Sequence, residues 1–182
     1  MQKTIRTLII SSALLYSGFV CAQEYKSQTA VEPQQRIAIP NLGPSVIHPE
    51  TSAPPLTALF DEVCSALVPN CESVANGGTT PSKHGGAYIY AYVWEIGYGV
   101  GETASQGGNA LTSAYLLAKT PVCISGGYYV SPCGTGETVV GYLYGWNVTH
   151  YVEGNYGNLF AAQDTSINSP FNTISTSFSI SH

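Results

Sequence analysis

Three side chains have the chemistry of a candidate catalytic centre: His84, Glu95 and Asp61. His84 precedes two glycines, and a His-Gly-Gly turn before a strand resembles the turn that supplies oxyanion donors in esterases. A hydrolase centred on His84 could use Ser82 as nucleophile, with Glu95 or Asp61 assisting. The Gly-x-Ser-x-Gly nucleophile turn is absent from the sequence, and the two glycines are equally well explained as turn residues before a strand.

Glu95 and Asp61 are also a candidate glycosidase pair, because that chemistry depends on how far apart two carboxyl groups lie in space. Glu95 interrupts an otherwise apolar strand face, where a buried carboxylate would need a partner such as Lys83 or a tyrosine hydroxyl. The alternative is that the strand emerges into solvent at Glu95. His84, His150 and His182 lack the spacing of metal ligands, so we expect neither a metal nor a cofactor.

Two stretches place aromatic rings at every second position, which is the side-chain period of a β-strand. They are AYIYAYVWEIGY at 87–98 and VVGYLYGWNVTHY at 139–151. If these strands pair, we predict one wall of rings and one wall of small residues. The rings then form either a surface that binds sugar faces or half of a hydrophobic core. The candidate binding residues are Tyr88, Tyr90, Tyr92, Trp94, Tyr142, Tyr144 and Trp146.

The first 22 residues have the pattern of a secretory signal peptide. Lys3 and Arg6 precede an apolar run at 8–20, and Cys21 lies among small residues suited to cleavage. The run is too short for an integral membrane span. A lipid anchor on Cys21 is the rival interpretation. We therefore predict a signal at 1–22 and a secreted or periplasmic protein.

Four cysteines remain after the predicted signal is removed, and an even number in an exported chain favours disulfides. They are Cys64, Cys71, Cys123 and Cys133. We favour Cys64 with Cys71 and Cys123 with Cys133, since each pair brackets a short segment that can turn the chain back. The crossed pairings stay open.

The charge balance excludes some partners. Removing Lys3 and Arg6 with the signal leaves four Lys/Arg against eleven Asp/Glu, so the formal net charge moves from −5 to −7. No basic patch exists to neutralise phosphates, so we expect no nucleic-acid partner. Attraction to an anionic membrane by charge is disfavoured for the same reason.

The chain divides into a Pro/Gln-rich linker or pro-segment at 23–55, with six prolines, and a single domain at 56–182. A period of two dominates that domain. The stretch NALTSAYLLAK at 109–119 offers a helix, and 122–133 a hairpin closed by a disulfide. We predict a mainly β fold, an antiparallel sandwich or twisted sheet with one short helix and two disulfides.

Two segments carry a resemblance to a known family. SKHGGAYIYAYVWEIGYG at 82–99 and DTSINSPFNTISTSFSI at 164–180 resemble the YolA-like family of small exported bacterial proteins, a domain of unknown function. The resemblance implies one exported, strand-rich domain. It implies no established activity and no catalytic residues.

The function we expect is that of an exported, non-enzymatic binding protein. Its partner would be a cell-surface or extracellular component such as a glycan, held by the aromatic strands or adjoining loops, and action as a secreted toxin or antibacterial factor is one version. A secreted hydrolase centred on His84 is the second hypothesis. A structural or matrix protein is the third, because long uncharged strands can pair edge to edge.

Overall fold

Residues with period-two alternation pair into antiparallel strands in the computed structural model, which describes residues 54–182. The strands in these residues are β1 Ala58–Ser65, β2 Glu72–Val74, β3 Ile89–Ile96, β4 Thr103–Gln106, β5 Asn109–Leu111, β6 Leu116–Ser125, β7 Tyr128–Val130, β8 Val139–Asn147, β9 Leu159–Thr165 and β10 Thr173–Ser179. They form a six-stranded sheet, ordered β2-β1-β3-β8-β6-β7, and a four-stranded sheet, ordered β10-β9-β4-β5.

The main core lies between the two sheets. The six-stranded sheet contributes Ile89, Val93 and Trp146, while the four-stranded sheet contributes Phe160 and Phe178. The two phenylalanine rings pack with their centroids 5.1 Å apart. The mainly β prediction is therefore confirmed: over the part of the chain that the structure describes there are antiparallel sheets, one short α-helix and two disulfides.

The prediction of one shared wall of rings is wrong, because β3 and β8 pair in a different register. Tyr92 lies opposite Gly145, and Tyr144 lies opposite Val93. Directly opposed residues share a face of the sheet, so the rings of β3 and the rings of β8 point to opposite faces. Each large ring lies beside a smaller neighbour, which lets the strands approach without a clash between rings.

The rings of β3 belong to a second cluster on the outer face of the six-stranded sheet, away from the other sheet. Tyr92 and Trp94 pack there with Leu143. The sheet curls over this cluster, so that Phe60 of β1 meets Tyr129 of β7 with ring centroids 6.5 Å apart. Sheets twist and coil by default, and here the curl buries Trp94 completely.

The helix predicted at 109–119 is also wrong. This stretch forms β5, a short 3-10 turn at Ser113–Tyr115 and the start of β6. Leu116 and the residues that follow it pair with β8, and these cross-strand contacts override a weak local helix preference. Within residues 54–182 the lone α-helix, α1, covers Thr149–Glu153, where the sequence predicted that the second aromatic strand would continue.

Both predicted disulfides are present. Cys64–Cys71 joins the end of β1 to the residue before β2, and Cys123–Cys133 joins β6 to the chain beyond β7. The predicted signal at 1–22 and the predicted linker up to residue 53 lie outside the described residues. Among residues 54–182 the structure contains no helix of the length and apolarity that a membrane crossing requires.

The contact between Tyr92 and Gly145 gives a test of the register. A Cβ atom on residue 145 would lie 2.8 Å from Cε1 of the buried Tyr92 ring. We expect Gly145→Ala to lower the free energy of unfolding by about 1–3 kcal/mol, the usual effect of overpacking, as measured by urea denaturation. Ser73→Ala, at an exposed position of β2, is the control. Equal stability of the two variants would contradict this packing.

Candidate functional site

His84 lies at the centre of a hydrogen-bonded relay. Its Nδ1 atom is 3.1 Å from Oγ of Ser65, and its Nε2 atom is 2.9 Å from Oε1 of Glu72. Ser65 ends β1 and Glu72 begins β2, and the disulfide Cys64–Cys71 holds these strand ends together. The His84 backbone amide donates to the carbonyl of Ser181 at 2.7 Å, which fixes the imidazole against both strands.

The relay has the serine, histidine and carboxylate composition of hydrolase triads. Partial burial acts to raise the pKa of Glu72, but hydrogen bonds from the Ser82 backbone amide and from His84 outweigh it and hold this pKa below its usual range. Glu72 is therefore ionised at neutral pH and orients the imidazole. Ser65 is wholly buried, and its hydroxyl also accepts the Val68 amide at 3.1 Å.

Sequence reasoning named His84 but missed both of its side-chain partners. Ser82, the predicted nucleophile, instead donates its backbone amide to Glu72 at 3.0 Å. The signal in the sequence was that Ser65 and Glu72 each directly follow one cysteine of the predicted Cys64–Cys71 pair. Their proximity to His84 depends on tertiary contacts.

Glu95 is buried and does not emerge into solvent. Its side-chain partner is Asp164, not Lys83 or a tyrosine hydroxyl as the sequence suggested. Glu95 projects from β3 and Asp164 from β9, with exposures of 1% and 2%, so the pair bridges the two sheets. Glu95 Oε1 accepts the amide of Gly99 at 3.3 Å, and Asp164 accepts the amide of Gly101 at 3.1 Å. The two carboxyls thus hold the β3–β4 loop in place.

Burial, together with the hydrogen bond and the negative charge of Asp164, raises the pKa of Glu95 to about 8. Glu95 therefore keeps its proton at neutral pH. A Cβ atom on Gly99 would collide with the Asp164 carboxyl. Glycine at this position is what lets the β3–β4 loop pass directly over the pair.

Asp61 shares the inter-sheet face with Glu95 but has a different partner. Asp61 lies opposite Val93, so Glu95 is its diagonal neighbour, at a separation of roughly 7–8 Å. The Thr176 hydroxyl donates to Asp61 across the sheets. Burial raises the pKa of Asp61 to about 6, against the opposing effect of that bond. The candidate glycosidase pair therefore lies in the core, where each carboxyl is already engaged.

The two tryptophans are each bonded to a buried glutamate. Trp94 Nε1 donates to Glu62 at 3.1 Å on the outer face, and Trp146 Nε1 donates to Glu102 at 2.6 Å between the sheets. Burial raises the pKa of both Glu62 and Glu102 above the usual range, against these hydrogen bonds. Both indoles are thus satisfied as buried donors must be.

The predicted ring residues differ in their accessibility. Tyr92, Trp94, Tyr144 and Trp146 are buried, whereas Tyr88, Tyr90 and Tyr142 are half-buried. Tyr88 and Tyr90 stack with centroids 4.8 Å apart. The role of these rings in binding stays a prediction, and the half-buried tyrosines are the members of the set that present surface to a ligand.

A concave groove crosses the outer face of the four-stranded sheet. Its volume is about 450 Å³, within the usual range for ligand sites. The strand register places Ser177, Ala161 and Ser105 in one row across β10, β9 and β4. The lining residues are Asn76, Thr103, Ala104, Ser105, Ala110, Ala161, Ala162, Gln163, Ser175, Thr176 and Ser177.

The polar face of β10, which lines this groove, was not predicted from the sequence. There Ser175 and Ser177 alternate with the buried Thr176 and Phe178. That alternation was the signal. The groove itself arises only when three other strands pair alongside. Within residues 54–182 no group of three or more His, Cys, Asp or Glu side chains is arranged to hold a metal ion.

Residues 44–180 match a family described as a domain of unknown function, DUF4879, and the chain belongs to that family. The matched region begins inside the predicted linker at 23–55. No curated protein matches the chain, and no solved structure matches it. The YolA-like resemblance therefore stays a prediction.

The buried carboxyls predict how stability depends on pH. Glu95 has an ordinary pKa of 4.5 when unfolded and about 8 when folded, so the folded chain retains a proton that the unfolded chain releases between these values. Asp61 acts in the same direction between 3.8 and about 6. We expect the free energy of unfolding to fall as pH rises from 5 to 8, by up to about 1.4 kcal/mol per pH unit for each retained proton.

Urea denaturation at pH 5, 6.5 and 8 measures this dependence. Glu95→Gln should flatten it and make the chain relatively more stable at pH 8, because the amide stands in for a protonated carboxyl. Glu153→Gln, at an exposed position, is the control. A stability that instead rises with pH over this range would contradict the assignment.

Proposed function

We propose that this is an exported binding protein that holds an uncharged extracellular glycan in the groove of the four-stranded sheet. The observation that carries the proposal is the groove itself, whose lining contains no charged side chain. A secreted or periplasmic location is part of the proposal, supported by the pairing of Cys64–Cys71 and Cys123–Cys133. The YolA-like resemblance, also to exported proteins, points the same way.

The chemistry of the lining suits sugar hydroxyls. Ser105, Ser175 and Ser177 offer hydroxyl groups with no side-chain hydrogen bond to any described residue. Gln163 is exposed and supplies an amide, which can both donate and accept. The alanines keep the floor shallow, so an extended chain can lie close to the sheet.

Charge narrows the class of ligand. Residues 54–182 contain two cations, Lys83 and Lys119, and neither lines the groove. An anionic polymer would meet a negatively charged protein without compensating cations. A neutral polymer avoids that repulsion.

The test is binding to a panel of immobilised neutral polysaccharides. Ala161→Trp places a large ring on the groove floor and should weaken binding at least about tenfold, equivalent to about 1.4 kcal/mol. Tyr90→Ala, on the other sheet, is the comparison. If Tyr90→Ala abolishes glycan binding and Ala161→Trp leaves it unchanged, the binding site lies at the tyrosines and not in the groove. If both variants bind as the native chain does, neither location is the binding site.

A secreted hydrolase is the second candidate, and the Ser65–His84–Glu72 relay is the observation that favours it. Such an enzyme would need Ser65, now buried, to become accessible when a substrate binds. Movement of the adjoining residues 66–71, at the end of β1, would provide that access.

A fluorophosphonate probe, which reacts with activated serines, tests the hydrolase. If the relay is catalytic, the native chain becomes labelled, Ser65→Ala abolishes labelling, and Ser82→Ala leaves it intact. Glu72→Gln should slow labelling by at least about tenfold, because the imidazole loses its orienting carboxylate. An unlabelled native chain would remove this candidate.

A further inference from the structure

Large apolar side chains are concentrated in solvent at one end of the sandwich, which we call the apolar end. They are Val100, Ile124, Tyr128, Ile167 and Phe171, with Phe171 64% and Val100 71% exposed. Exposed apolar groups scattered singly need no explanation, but several gathered in one region mark an interaction site. The remaining large apolar side chains exposed in residues 54–182 are Leu67, Tyr156 and Leu159, at the opposite end.

The strand register shows that three separate segments reach the apolar end. The end of β3 lies beside the start of β8, and the end of β6 lies beside that same start. The β3–β4 loop and the β6–β7 turn therefore emerge together. The β9–β10 loop joins them, because the amide of Val100 donates to Thr165 at 2.9 Å and the amide of Ile167 donates to Tyr98 at 3.1 Å.

The β9–β10 loop holds Phe171 outward. Phe171 has a φ of 54°, a left-handed conformation that is uncommon for a bulky residue other than glycine. Hydrogen bonds from the Phe171 amide to Asn168 at 2.8 Å and from the Ser166 amide to Asn172 at 2.9 Å maintain it. The left-handed conformation of Phe171 is energetically unfavourable, and it holds an aromatic ring in solvent. Such strain is typical of residues with a functional role.

Exposed charged side chains are located away from the apolar end. Glu95 and Asp164 reach the apolar end but are buried, and Glu137 is half-buried there with its carboxylate accepting the Gly134 amide at 2.6 Å. Exposed Lys83 precedes β3 and exposed Glu153 lies in α1, so both are at the other end. Exposed Lys119 lies in the middle of β6, opposite Tyr144. The molecule is therefore amphipathic along its strands.

We propose that the apolar end inserts its three loop tips into the interfacial layer of a lipid bilayer made of neutral, zwitterionic phospholipids. Apolar side chains on separate tips fit a fluid surface, which closes around each projection, whereas a protein partner would need a matching pocket for each. Tyr128 suits the headgroup level, because its ring is apolar and its hydroxyl is polar. The three loop tips contain no Lys or Arg. The nearest cation in residues 54–182 is Lys119, whose ammonium lies 4.3 Å from the Tyr142 ring centroid, and one cation does not make anionic lipid a requirement.

The experiment uses the chain from residue 23 with phosphatidylcholine vesicles. Phe171→Trp should show a blue-shifted emission on adding vesicles and quenching by brominated acyl chains, since the native tryptophans Trp94 and Trp146 are buried. Co-sedimentation should be at least about tenfold weaker for Val100→Ser, Ile167→Ser and Phe171→Ser combined. The matched control combines Leu67→Ser, Tyr156→Ser and Leu159→Ser at the opposite end and should bind normally.

Thermal unfolding of each combined variant checks that it is folded, and Phe171→Ser alone provides a milder change with a smaller loss of binding. No binding and no emission shift with the native chain would overturn the proposal. Self-association that the apolar-end variant abolishes, without vesicle binding, would overturn it in favour of contact between copies.

The chain enters the described domain at the apolar end, where the Pro54 carbonyl accepts a hydrogen bond from the Tyr98 amide at 3.0 Å. Vesicle binding that requires removal of residues 23–53 would overturn the proposal in favour of coverage by the chain itself.

Discussion

The structure depends on the pairing of β3 with β8, in which each aromatic ring lies beside a smaller residue. Tyr92 packs over Gly145, and Tyr144 lies beside Val93. A shift by one residue would turn every ring to the other face and separate it from its neighbours. The correct register places one set of rings in each of two clusters, and those clusters then determine where both sheets curl and meet.

The same register explains why so many carboxyl groups are buried. Trp94 lies in the cluster on the outer face and Trp146 in the core between the sheets. Each indole N–H donates a hydrogen bond to a glutamate, so neither cluster is purely apolar. Glu95 and Asp164 join the sheets where the β3–β4 loop crosses between them. Burial of an ionised carboxyl is costly, and retained protons lower that cost. This interior chemistry stabilises the fold, and the surfaces open to a ligand lie elsewhere.

The two candidate binding surfaces lie on different parts of the sandwich. The outer face of the four-stranded sheet offers neutral hydroxyl and amide groups over a concave floor, while one end offers projecting apolar side chains. A protein that holds a neutral polymer on its flank and contacts lipid with one end would act at a cell surface.

The sequence by itself determined the mainly β class, favoured the two disulfides that form and singled out His84, because period-two alternation, short bracketed turns and residue type are local properties. Only the tertiary structure decided that 109–119 is not a helix, that Ser65 and Glu72 meet His84, and that the two rows of rings face apart. Each of these depends on which residues of distant strands lie opposite one another. Local periodicity cannot specify that register, since it is selected by packing large against small across the completed sheets.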